Sequence, residues 1–189
     1  RHRERKYERW NALAQKCDGR PAQLSPQERA EYARLDAALT RFPVDPALAM
    51  PTRLGNLLCA SEEYPQVRYG LTANVCWPRL WLLLPDGVQK EISAARARLN
   101  AAAQLCGWGV LFCIWAIWAW WAVPVGLATA FVAHRGMLLA ALVYGELVKS
   151  AFDLHRFALY EQMRRPPPGG TDDEVAYGER LTAYLFRGT

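Results

Sequence analysis

Two adjacent stretches decide the fold: LCGWGVLFCIWAIWAWWAV over residues 105–123 and VGLATAFVAHRGMLLAALVYG over residues 125–145. Across the whole block the only formal charge is Arg135. Each stretch is about 20 residues long, enough to cross ~30 Å of hydrocarbon as a helix rising ~1.5 Å per residue. The turn signal between them is Val123-Pro124-Val125-Gly126, which predicts a tight helical hairpin with a charge-free connection. Arg96 and Arg98 precede the first stretch, and Lys149 and Arg156 follow the second. By the positive-inside rule both ends lie in the cytoplasm and the turn faces out, with Trp118, Trp120 and Trp121 as interface anchors. The mean hydropathy of −0.11 conceals this block, because nearly all the polarity lies outside it.

Helical periodicity sorts the two spans by side-chain size. Cys106, Gly109, Cys113 and Ala116 share one face of the first, opposite Trp108, Leu111, Phe112, Ile114 and Trp115. Gly126, Ala130, Ala133 and Ala140 share one face of the second. Small residues let helix backbones approach, so the two small faces are expected to form the packing seam. Arg135, with His134 beside it, falls opposite the alanine stripe near the middle of the second span. A central arginine costs at least ~2.5–3.5 kcal/mol on insertion scales. Glu146 is ~16 Å farther along, too far to pair with it. The expectation is a partner from another helix, upstream of Arg1 or in another subunit. The alternative is that Arg135 snorkels, or sits at the edge of a re-entrant hairpin.

Upstream, residues 1–17 read as a basic helix ended by Asp18-Gly19, its arginines either solvated or laid against anionic headgroups. Ser25, Pro26 and Glu28 form a capping box opening a helix to about Arg41, with Tyr32, Leu35 and Leu39 as its apolar stripe. In residues 51–87 a helix is expected to stop at Tyr64-Pro65. WPRLWLLLP from Trp77 is then either a buried core helix or an interfacial segment. Asp86 and Gln89 suggest a second capping box. Beyond it Val88, Ile92, Ala95, Leu99, Ala102 and Cys106 recur at spacings of four and three, a helix packed along one seam.

After the hairpin, YGELVKSAFDLHRFALYEQMRR continues as an amphipathic helix until Pro166-Pro-Pro-Gly-Gly. Lys149–Asp153 and Glu161–Arg165 are spaced for i,i+4 pairs. Thr171 opens a last helix to about Phe186, whose Asp172, Asp173 and Glu174 suit the helix dipole. The predicted organisation is therefore 1–50 basic and capped cytoplasmic helices and 51–87 an aromatic-rich segment. Residues 88–165 form the long-helix transmembrane hairpin, and 166–189 a Pro/Gly linker and terminal helix. The fold class is all-α, an integral membrane helical hairpin with cytoplasmic helical regions.

The composition excludes several chemistries. There is no nucleophile elbow, no glycine-rich phosphate loop and no His-Glu-x-x-His, so no catalytic, cofactor-binding or metal residue is assigned. His155 with Asp153 and Glu161 reads as a solvated helix face rather than a metal cluster. The five cysteines lack Cys-x-x-Cys spacing and fit reduced thiols. Nucleic-acid binding would rest only on a pI of ≈ 9.1 and one basic helix, and is not expected. The chain begins at Arg1 rather than Met, which suggests an excerpt of a longer product.

The phrases PTRLGNLL, RYG, WPRLWLLLP, YGELVKSAFDLHRF and LTAYLFRG, in that order over residues 50–189, resemble a group of bacterial multi-pass membrane proteins of the actinobacterial and cyanobacterial kind. That group has no assigned activity, so the resemblance carries no functional residue. It implies further transmembrane helices before Arg1 in the same longer chain, which would supply a partner for Arg135; a homo-oligomer is the alternative source. The expected function is a non-enzymatic scaffold or signalling component that links a cytoplasmic helical module to the bacterial inner membrane, with the lipid bilayer as partner. The rival is a transporter or channel subunit using Arg135.

Overall fold

The structure, a computed structural model, describes residues 2–17, 25–164 and 171–188. It is all-helical, 86% helix, with no strand among the described residues. The chain forms two compact units, Arg1–Ala49 and Met50–Thr189.

The first unit pairs α1 (His2–Cys17) with α2 (Pro26–Leu39). The capping box is present in both directions: Ser25 Oγ accepts from the Glu28 N–H at 3.3 Å, and Glu28 Oε2 accepts from the Ser25 N–H at 3.1 Å. Two basic side chains of α1 are matched inside the unit. Arg9 makes a two-pronged contact with Glu31 at 2.6 and 3.2 Å, and Lys16 reaches Glu28 at 2.7 Å. The Lys16 ammonium, helped by the Ser25 cap, holds the Glu28 carboxyl down at about 2. Leu13 packs on Tyr32 and Leu35, and the indole N–H of Trp10 donates to Asp36 at 3.1 Å. The end of α1 at Asp18-Gly19 and the Pro166–Gly170 linker lie outside the described residues, as does the Glu161–Arg165 pair.

The second unit is built on a long antiparallel hairpin, α5 (Asp86–Phe112) and α6 (Ala122–Gln162). Against its base pack α3 (Arg53–Tyr69), α4 (Ala73–Leu83) and α7 (Thr171–Arg187). The seam residues Ile92, Ala95 and Leu99 are buried, as the four-and-three spacing requires. Fully buried Tyr160, Phe152, Leu71, Leu80, Leu159 and Leu181 centre the main core. A second cluster, Leu99, Met137 and Ala141, takes Leu54, Leu57 and Leu58 of α3.

Four local expectations need correction. First, α3 does not stop at Tyr64-Pro65 but runs to Tyr69. Pro65 forfeits a helical hydrogen bond, yet the extra turn brings Tyr69 into the core and leads to Leu71. Gly70, at φ +69°, ends the helix instead. Second, α4 begins at Ala73 rather than Trp77, with Pro78 inside it; Cys76 and Leu80 are fully buried, which makes it a core helix. Third, Gln89 forms no capping box with Asp86. Its amide donates to the Trp81 and Leu84 carbonyls at 2.8 and 3.1 Å, capping the end of α4 together with the Leu84 N–H, which also donates to Trp81. Fourth, the hairpin closes at Trp118–Trp121, after a 3-10 turn over Cys113–Ile117, and not at Val123–Gly126. Pro124 sits in the first turn of α6, where a missing N–H costs nothing, so it starts a helix rather than breaking one.

Candidate functional site

The hairpin turns a small-residue seam inward and a bulky apolar surface outward. Gly109 and Gly126 meet at the crossing. A Cβ on Gly126 would lie 2.6 Å from the Gly109 carbonyl oxygen, and one on Gly109 would lie 2.8 Å from the Ala130 nitrogen. Cys106 Sγ donates to the Ala130 carbonyl at 3.6 Å, and Cys113 Sγ to the Gly109 carbonyl at 3.6 Å. Ala133 is buried in the same seam, Ala140 packs against the Leu99–Met137 cluster, and Ala116 is half-buried in the 3-10 turn. The thiols therefore serve backbone contact. Outside the spans, burial raises the Cys59 and Cys76 thiols above their ordinary range, which disfavours the reactive thiolate.

The outward surface is almost wholly apolar. Trp108, Leu111, Trp115, Trp118, Phe131 and Val132 are exposed, and Trp120 is 81% exposed. Both long helices are long and apolar enough to cross a membrane. Only 6% of the apolar window of α5 and 22% of that of α6 is buried. Trp118, Trp120 and Trp121 form the tip. Because the turn precedes Pro124, Arg135 lies about 20 Å down α6 from the tip, below the mid-span position expected from the sequence. Arg135 and His134 are both exposed. The Arg135 guanidinium sits 5.4 Å from the Phe131 ring centroid, one turn towards the tip, and meets no carboxylate among the described residues.

The base carries the polar architecture. Asp153 on α6 accepts from Tyr69 OH at 2.7 Å and from Tyr64 OH at 3.3 Å, while Arg68 Nε donates to Tyr69 OH. Burial, then the neighbouring Asp153 charge, pushes Tyr64 up to about 12. Arg156 pairs with Glu174 at 2.7 Å, the two side chains being 15% and 6% exposed. Its guanidinium also donates to the Asp153 carbonyl and stacks 4.2 Å from the Tyr69 ring centroid. Burial works against the Arg156 charge, and Glu174 more than offsets it, so its pKa is raised.

Gly178 of α7 packs directly on the Tyr69–Gly70 backbone. Thr182 clamps the same loop, accepting from the Thr72 N–H and donating to the Gly70 carbonyl, both at 3.2 Å.

This bundle overturns one reading of the charges and adds to another. Lys149 pairs with Glu146 at 2.9 Å and not with Asp153, whose carboxylate is taken by the two tyrosines. Glu174, placed in the first turn of α7 as the helix dipole favours, is in addition a buried partner of Arg156; Thr171 and Asp172 side chains lie outside the described ones. Pattern reading missed the Tyr64–Tyr69–Asp153 and Arg156–Glu174 contacts because each joins separate helices. The one available signal was Gly178, a glycine inside a helix that needs no turn there. No group of three metal-ligating side chains exists among the described residues, and His155 gathers none. Comparison with protein-family models, characterised proteins and solved structures finds no match for this chain.

Proposed function

We propose that this chain is a non-enzymatic membrane scaffold or signalling component. In this reading the α5–α6 hairpin inserts into the bacterial inner membrane from the cytoplasmic side, and its base presents a rigid helical module to the cytoplasm. The observation that carries the reading is the exposed tryptophan- and leucine-rich surface of the upper hairpin. Core helices of a soluble protein bury such windows, whereas these remain open. The position of the polar helices supports the same topology. The α3, α4 and α7 helices all pack at the base, none at the tip, and the tip is charge-free. Arg96, Arg98 and Lys149 flank the apolar region on that side; Arg156 is engaged with Glu174.

The test is flotation with phosphatidylcholine vesicles followed by alkaline carbonate extraction. Retention in the vesicle fraction supports insertion. Release at alkaline pH overturns it and makes the hairpin a protein–protein interface. The second reading, a transporter or channel subunit, draws on the exposed Arg135 with no carboxylate beside it. Two helices enclose no pathway, so it requires further helices, from a longer chain or a second copy, that turn Arg135 inward. An Arg135→Leu variant with unchanged flux in a reconstituted assay would remove that reading.

A further inference from the structure

At the base of the hairpin, α4, α5 and α6 enclose an open groove of about 570 Å³. Its walls are the rings of Trp77 and Trp81, 5.7 Å apart, and the ring of Tyr144. Ser93, Arg96 and Asn100 project from α5 into it. The guanidinium of Arg96 lies 5.2 Å from the Tyr144 ring centroid and has no ion-pair partner among the described residues. The two indole N–H groups, the Ser93 hydroxyl and the Asn100 amide likewise have no hydrogen-bond partner among those residues. No carboxylate lines the groove. It therefore offers a cation and several free donors with no fixed anion to use them.

We propose that this groove binds the phosphodiester headgroup of an anionic glycerophospholipid. The proposal rests on the membrane reading above. One guanidinium matches the single charge of a phosphodiester, and the indole, hydroxyl and amide donors suit its oxygens. A lipid fits better than a free phosphate because of what lies beside the groove. Ser93, Ala97, Asn100, Gln104, Trp108 and Leu111 recur at spacings of four and three, forming one stripe along α5. This stripe leads from the groove onto the exposed apolar hairpin, so an acyl chain can follow it while the headgroup stays below. Arg96 lies ~13 Å below Leu105, where the charge-free stretch begins, a distance compatible with the headgroup region.

The test uses the whole chain reconstituted in vesicles of phosphatidylcholine alone or containing phosphatidylglycerol, then solubilised, with co-purifying lipid counted by mass spectrometry. Selective retention of phosphatidylglycerol is expected, with affinity reduced about tenfold to a hundredfold in Arg96→Gln. Arg98→Gln, which alters an exposed charge outside the groove, should leave retention intact. Equal retention by wild type and Arg96→Gln overturns the proposal, as does displacement of the lipid by soluble glycerol phosphate at matched concentration. If Arg96→Gln fails to fold, Trp81→Phe removes one donor while keeping a ring, and unchanged retention there overturns the proposal as well. Failure to float with either vesicle sinks the membrane reading itself. Flotation without phosphatidylglycerol selectivity sinks only the groove assignment.

Discussion

Replacing Gly178 with alanine should undock α7 from the bundle. A Cβ at this position would fall inside van der Waals contact of the Tyr69 carbonyl oxygen and 3.0 Å from the carbonyl carbons of Tyr69 and Gly70. All three are backbone atoms held by the end of α3, so the helix that carries the methyl group must move. The shift breaks both Thr182 hydrogen bonds, each worth about 0.5–1.5 kcal/mol. It also loosens fully buried Leu181, a side chain whose burial contributes ~1.5–3 kcal/mol. The heaviest loss falls on the Arg156–Glu174 pair, since separating buried partners costs about 3–5 kcal/mol. Alanine returns only ~0.5–1 kcal/mol of helix propensity. A net loss of roughly 4–10 kcal/mol is expected, which accelerates amide hydrogen exchange across α7 by on the order of 10³-fold or more. Gly87→Ala is the control, because a Cβ there meets nothing within 4 Å. Wild-type protection of α7 in Gly178→Ala, with helicity unchanged, would refute the docking argument.

Four further outcomes are expected. Tyr64 titrates above its ordinary value, at about 12, because the neutral phenol is the form that is buried and bonded to Asp153. Its contribution is therefore complete below pH ~10 and lost as pH rises through about 12, so the alkaline unfolding limb should flatten in Tyr64→Phe. Glu174→Gln should destabilise the bundle by roughly 3–5 kcal/mol in chemical denaturation, whereas the double replacement with Arg156→Met should recover much of that loss. The hydroxyls of Tyr160 and Tyr177 are buried without a hydrogen-bond partner among the described residues. Tyr160→Phe should therefore be neutral or stabilising by up to ~1 kcal/mol, while Tyr69→Phe, which loses a bond to a carboxylate, should cost about 1.5–3 kcal/mol. Arg135→Leu should leave circular dichroism unchanged, since the arginine is exposed and lies against its own helix neighbour Phe131, and favour insertion by at most ~2.5–3.5 kcal/mol in a translocation assay. A melted bundle in that variant would show that Arg135 has a structural role.

The sequence alone determined the elements whose information is local. A charge-free block with two helix-length stretches specifies two long apolar helices, and Ser25-Pro26-x-Glu28 specifies a helix start, because backbone geometry and solvation act over a few residues. The size sorting of Gly109, Cys113 and Gly126 likewise followed from the 3.6-residue period. Tertiary structure alone decided how those helices end and what their polar residues do. Pro65 and Pro78 lie inside helices and Pro124 opens one, because core packing outweighs a single missing hydrogen bond. Asp153, Arg156 and Glu174 sit on amphipathic helices whose charges look solvated in isolation. Each acquires its partner only when α3 and α7 fold against α6, bringing residues far apart in the chain within hydrogen-bond reach. Burial is a property of that assembly, and it turned surface-like charges into the polar centre of the bundle.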